Sequence, residues 1–239
     1  MLQKTLSALT LTLAGLTLAP AQAATSATNL QSSLLKHAPG LNKQVLNHAL
    51  DAIQCAQDQG NRAADRLAVI DFSLPSSEKR LWIFDLKKRQ LLLNDFVAHG
   101  QKSGDNLATR FSNTNGSHQS SIGLFRSSES YSGKHGYSLR MDGLEPGFND
   151  RARERAIVIH GADYVNPDWI ASQGRIGRSQ GCPAVRPEIS RTVVDALKDG
   201  QFVFTWYPDP EWLQGSSFLN CPGPRLADRN NSRQRAGDS

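Results

Sequence analysis

The sequence predicts a mainly β domain of the α+β type with an N-terminal helical extension. Two patterns lead there. After Arg66, short apolar runs are broken by turn residues, as in strands: Leu67 to Phe72, Arg80 to Asp85, Gln90 to Ala98, Ala156 to His160 and Gln201 to Trp206. Before Arg66, Leu41, Val45, Leu46, Ala49, Leu50, Ile53 and Ala56 recur at helical spacing, with Asn42, Lys43, Asn47, Asp51 and Gln54 between them.

The chain opens as an export leader. Lys4 precedes an apolar stretch from Leu6 to Ala19, and Pro20-Ala21-Gln22-Ala23 has the small-x-small pattern that a signal peptidase cleaves. That stretch is too short and too close to the cleavage site for a stable membrane span. No other stretch is apolar for long enough, so the expected product is a periplasmic or secreted protein without stable membrane insertion. Cleavage near Ala23 leaves about 216 of the 239 residues, enough for one sizeable domain with an extension. The expected organisation is a signal peptide over 1–23, a helical extension over 24–65, a catalytic-type domain over 66–210 and an irregular tail over 211–239.

Within this frame each element has its own signal. The helix from Leu41 ends near Gly60 and packs on the domain as structure, so His48 on it is expected as a surface or core residue. The runs flanking Leu86-Lys87-Lys88-Arg89 read as a hairpin with charges at its turn. Residues 100 to 149 are rich in Gly, Ser and Asn, which predicts long loops with short strands around Ile122 to Phe125 and Tyr137 to Met141. Irregular stretches of that length usually carry function or cover a site. Pro187 to Leu197 reads as a short helix with Val193, Val194 and Leu197 on one face, and Pro, Gly and polar residues dominate beyond Pro208.

The formal net charge of +5 falls to +4 without Lys4. The basic residues are scattered and lack interleaved aromatics, so a nucleic-acid surface is not expected. There is no Cys-x-x-Cys, His-x-His or His-Glu-x-x-His, so neither a metal nor another cofactor is expected. Three cysteines leave one unpaired if a disulfide forms. Cys55 and Cys221 either pair or remain two small buried hydrophobes. Cys182 is then the odd thiol.

Cys182 lies in Arg178-Ser179-Gln180-Gly181-Cys182-Pro183-Ala184-Val185-Arg186, and His160 ends the apolar run Ala156-Ile157-Val158-Ile159. A thiol attacks carbonyls as the thiolate, and a neighbouring imidazole can take its proton. Cys182 is therefore a candidate nucleophile and His160 a candidate base. The Gly181-Cys182 turn can aim backbone N–H groups at an oxyanion, and the Gly161 carbonyl is a candidate to fix the tautomer of His160. His99, His118 and His135 can line the cleft, with structural hydrogen bonding as the favoured reading.

Ile159-His160-Gly161 together with Arg178-Ser179-Gln180-Gly181-Cys182 resembles the L,D-transpeptidase catalytic domain of the YkuD type, in its murein L,D-transpeptidase branch. The likeness covers most of Arg66 to Tyr207. Supporting stretches are Val97-Ala98-His99-Gly100, Phe111-Ser112-Asn113, Ser120-Ser121-Ile122-Gly123, Gly133-Lys134-His135-Gly136 and Gly143-Leu144-Glu145-Pro146-Gly147. The resemblance implies a β-sandwich bearing a cysteine acyltransferase of peptidoglycan stem peptides. Such an enzyme releases the terminal D-alanine and passes the acyl group to an amine, or to water as a carboxypeptidase, and the chain is expected to work as a monomer. By position, Cys182 would be nucleophile, His160 base, Gly161 the orienting carbonyl, and Gly181 with Cys182 the oxyanion donors. Ser179, Gln180 and Arg186 fall on the substrate side, Ser179 also supporting the turn.

Two departures stand out. Gln180 occupies the place of the usual motif histidine and cannot carry a proton, and Pro183-Ala184-Val185-Arg186 replaces an apolar residue followed by Arg. Arg186 can still meet a substrate carboxylate or form a plain ion pair. The rival functions are a non-catalytic wall-binding module on the same fold and a cysteine hydrolase of another peptide.

Overall fold

The structure is a computed structural model and describes residues 29–221. The expected leader over 1–23 and the stretch beyond Cys221 lie outside the described residues. A short helix, α1, covers residues 29–35 and is followed by α2 (Lys43–Asp58). Asn42 caps α2, its side-chain oxygen accepting from the Gln44 N–H at 2.7 Å. Val45, Leu46, Ala49, Leu50, Ile53 and Ala56 are buried, as their spacing predicts, and the helix packs on the sheet. His48 stacks on Trp206, a structural contact.

Eight strands follow: β1 (Arg66–Asp71), β2 (Leu81–Asp85), β3 (Gln90–Asp95), β4 (Gly123–Gly133), β5 (Gly136–Gly143), β6 (Val158–Gly161), β7 (Ala184–Val185) and β8 (Phe202–Trp206). They form one sheet in the order β3-β2-β1-β8-β4-β5-β6-β7. β1 and β8 pair in parallel at its centre, which explains why both are buried along almost their whole length and are mainly apolar. The β2–β3 hairpin forms where the charged turn predicts it. Helices α3 (Asp168–Gln173) and α4 (Pro187–Leu197) flank β7, and Val193, Val194 and Leu197 face the core from α4.

The two edges of this sheet are drawn together. Just past β3, the Ala98 N–H donates to the Ala184 carbonyl on β7 at 2.8 Å. Beside that bridge, Arg186 grips Asp95 with Nε at 2.9 Å and Nη2 at 2.6 Å. The sheet thus curls almost into a barrel, and its edges are covered rather than left to pair with another chain. The sequence motif places Arg186 on the substrate side. Its guanidinium fork is instead committed to a carboxylate that is nearly buried, which makes it a staple of the fold.

A second correction concerns the tail. Residues 210–215 form α5 (Pro210–Gly215), capped by the Asp209 side chain, which accepts from the Trp212 N–H at 2.9 Å. Trp212 is fully buried, and its indole N–H donates to Glu145 at 2.9 Å. The Glu145 carboxylate also accepts from the Leu124 N–H at 2.7 Å, so α5 is tied to the sheet. Six residues are too few for a helical period to show in sequence. A Cys55–Cys221 disulfide joins the end of α2 to the chain beyond α5, leaving Cys182 as the free cysteine.

Candidate active site

The site forms where β6 meets β7. Ile157, Val158 and Ile159 are buried and fix the strand, and His160 at its end is 3% exposed. In the parallel β6/β7 register His160 lies opposite Ala184, so Cys182, two residues earlier, sits beside the start of β6. Gly161 has no room for a side chain, because a Cβ there would come within 2.8 Å of Ser190 on α4.

His160 Nδ1 lies 2.9 Å from the Gly161 carbonyl. A carbonyl only accepts, so Nδ1 carries the hydrogen and Nε2 presents the lone pair. Burial pulls the imidazole below its ordinary pKa; the Gly161 carbonyl works against that and the nearby His135 adds to it. The ring is therefore neutral at rest. His135, on the turn between β4 and β5, stacks on it with centroids 4.5 Å apart and planes 29° apart. Of the three histidines read mainly as structural, His99 and His118 have such roles. His99 Nδ1 lies 2.7 Å from Arg80 Nη2, and His118 Nδ1 accepts from the Gln101 amide at 3.0 Å. His135 instead reaches the site.

The thiol of Cys182 donates to the Ala156 carbonyl at 3.7 Å, not to the imidazole. Burial pushes its pKa up, while the Val158 N–H and the charge of Arg155 pull it down. Both shifts favour the uncharged thiol and the uncharged imidazole.

Around the thiol the 179–182 turn is fully braced. Ser179 Oγ donates to the Cys182 carbonyl at 2.6 Å and accepts from the Gly181 N–H at 3.0 Å. Ser120 Oγ donates to the Gly181 carbonyl at 3.0 Å. Gly181 has a φ of 124°, open to glycine alone, and a Cβ there would meet the Gln119 carbonyl at 2.9 Å. Two expectations change as a result. The Gly181 N–H does not face a reaction centre because Ser179 holds it. Ser179 itself is buried inside the turn, so it supports the chain rather than meeting substrate. Gln180 is exposed at the turn's surface.

Two neighbours of the thiol escape a reading of the sequence. Arg155 sits one residue before the carbonyl that takes the thiol's hydrogen bond. Tyr164, just past β6, is half-buried, and burial and then the nearby Cys182 thiolate push its phenol well above the ordinary range. Neither belongs to a motif, and Arg155 is one of several scattered basic residues. Their roles come only from the folded chain.

A lone thiol and a carbonyl-oriented imidazole at the junction of two parallel strands make a candidate cysteine/histidine site on a mainly β fold. The chain belongs to the L,D-transpeptidase catalytic domain family, whose profile matches residues 37–206. Among solved structures, an L,D-transpeptidase from Mycobacterium smegmatis is 14% identical over 61% of this chain and 60% of that one, with a TM-score of 0.37. This chain thus spans about three fifths of that protein's length. An L,D-transpeptidase from Stackebrandtia nassauensis is 12% identical over 77% of this chain and 92% of that one, also at 0.37. L,D-transpeptidase 1 of Mycobacterium tuberculosis is 13% identical over 60% and 62%, at 0.33. A search of curated proteins finds no match.

Proposed function

We propose that this chain is a cysteine acyltransferase of peptidoglycan that carries the acyl group of a stem peptide on Cys182. One observation supports this reading above the others: the bond between His160 Nδ1 and the Gly161 carbonyl, which leaves Nε2 as a proton acceptor in the strand pair that also holds the single free thiol. Family membership supplies the substrate class.

Turnover starts from the uncharged pair. A turn of the Cys182 side chain takes the thiol from the Ala156 carbonyl towards Nε2, which removes the proton as sulfur attacks the acyl carbonyl of the third stem residue. Such hydrogen bonds are commonly loose until substrate binds. The Cys182 N–H, which donates to no other group among the described residues, is then the backbone donor for the oxyanion, since the Gly181 N–H is held by Ser179. Collapse breaks the C–N bond to the terminal D-alanine, and His160 returns the proton to its leaving amine. An amine of a second stem peptide then attacks the thioester and yields its proton to His160, the thiolate leaves, and a cross-link forms. Water in place of the amine gives L,D-carboxypeptidase hydrolysis. On this reading the chain acts after export, freed of residues 1–23, as a monomer without a cofactor.

Incubation with disaccharide tetrapeptide followed by product separation tests the proposal. A cross-linked dimer indicates transfer and a disaccharide tripeptide alone indicates hydrolysis. If neither forms and a carbapenem leaves no adduct on Cys182 in folded protein, the chain is a wall-binding module instead.

A further inference from the structure

We infer that Arg155 is the fixed counter-charge of the Cys182 thiolate, supplied from before β6 to a turn whose own residue 180 is an uncharged glutamine. This rests on Cys182 being the acyl carrier.

The first support is how Arg155 is held. Nη1 donates to the Ser112 carbonyl and Ser121 Oγ, while Nη2 donates to Ser117 Oγ at 3.1 Å and to the Gln119 carbonyl at 2.7 Å. Every acceptor is a neutral oxygen, and among the described residues no carboxylate pairs with this guanidinium. Its neighbours Arg151 and Arg153 differ, each being paired with acids. A half-buried cation without an anion is costly to keep, so its position calls for a charge that is present only part of the time.

The second support is where it is held. The next residue, Ala156, offers the carbonyl that takes the thiol's hydrogen bond. The Gln119 carbonyl, bound by Arg155, stands where a Cβ on Gly181 would meet it at 2.9 Å, one residue from Cys182. Of the charged groups acting on Arg155, Cys182 is the one anion and Arg151 the neighbouring cation. Four of its five N–H groups are filled by the loop, so Arg155 is held in place by them and acts on the sulfur through its field. It is not a catalytic residue in the sense of touching the reacting atoms.

The other titratable group on which the thiol acts is Tyr164, and His160 ends the strand beside which the thiol lies. His135 acts through its stack on His160. The 112–121 loop and the 179–182 turn present Gln119, Ser120, Ser179 and Gln180, all uncharged. His118 on that loop is bound to Gln101.

Iodoacetamide reads the thiolate directly, and under non-reducing conditions Cys182 is the one thiol available to it. The alkylation rate of the full chain is measured by intact mass from pH 5 to pH 10. The titration midpoint should rise in Arg155→Met, slowing alkylation near neutral pH by about tenfold, while the plateau at high pH is kept. Arg155→Lys, which retains the charge, should recover most of the rate. Ser117→Ala with Ser121→Ala, which loosens the cage but keeps the charge, should move the midpoint little and covers the case in which the methionine variant does not fold. An unmoved midpoint in Arg155→Met overturns the inference, as does a serine pair that matches it or a lysine variant as slow as methionine. Because alkylation needs no turnover, this outcome is separate from the product assay. Wild-type levels of cross-linking by Cys182→Ala would remove the acyl-carrier role and leave the alkylation result in place.

Discussion

Arg80 and Arg155 are both drawn from solvent and bonded largely to neutral oxygens, yet their surroundings differ in a way that separates structure from chemistry. Arg80 is fully buried, with Nε and Nη2 on the Val97 carbonyl, Nη1 on the Leu74 carbonyl and Nη2 also on His99. Burial brings its guanidinium pKa down and the charge of Asp71 works against that, leaving it at about 9. Arg155 has a similar cage and no acid. The sealed cluster is permanently compensated and can only hold the fold together. The other is left open to a thiol that, on the proposed function, becomes an anion in part of the reaction cycle. A buried charge signals function when its partner is transient, not simply because it is buried.

The contrast is sharpest between His160 and Arg80. His160→Gln keeps a polar side chain but cannot accept the proton, so turnover of the tetrapeptide should fall by about a thousandfold with the melting temperature nearly unchanged. The same measurements on the sealed cluster should invert. Arg80→Met leaves Asp71 buried and uncompensated, which should cost about 3–5 kcal/mol in urea unfolding; a loss under 1 kcal/mol would show that Arg80 is not holding the fold.

A third prediction uses pH. Burial first, and then the charge of Arg80, hold His99 at a pKa of about 3 against its ordinary 6.5. The unfolded chain therefore binds a proton that the folded chain refuses. The sign follows: this contribution is fully present above about pH 6.5 and is lost as pH falls towards about 3, amounting to a few kcal/mol. His99→Gln, which can still accept from Arg80, should flatten the pH dependence of unfolding in that window. The smallest effect is expected at His135. Loss of its stack in His135→Ala should lower kcat by about three- to tenfold, and His135→Phe should restore most of it.

Much of this architecture is readable before folding, for reasons that also mark where reading stops. Strands β1, β2 and β8 and helices α2 and α4 announce themselves because burial imposes a period or an unbroken apolar run. β4 is longer than its signal around Ile122 to Phe125, since residues 128–133 are polar and partly exposed and are held by pairing with β5. The positions of the Cys182 and His160 candidates follow from the motif and from the end of an apolar strand. Their supports do not. Arg186 grips an aspartate 91 positions away, and Arg155 and His135 gain their meaning from loops that fold back from other parts of the chain. The Gly181 amide reads as free in one dimension, and Ser179 takes it only in three.

The central claim is that an acyl group passes through the sulfur of Cys182. Acid-quenched protein from a reaction with disaccharide tetrapeptide, digested and mapped by mass spectrometry, tests it most directly. The account predicts a thioester of the disaccharide tripeptide on the peptide containing Cys182, with neither adduct nor product in Cys182→Ala. An adduct confined to another residue, or undiminished product from Cys182→Ala, would contradict it.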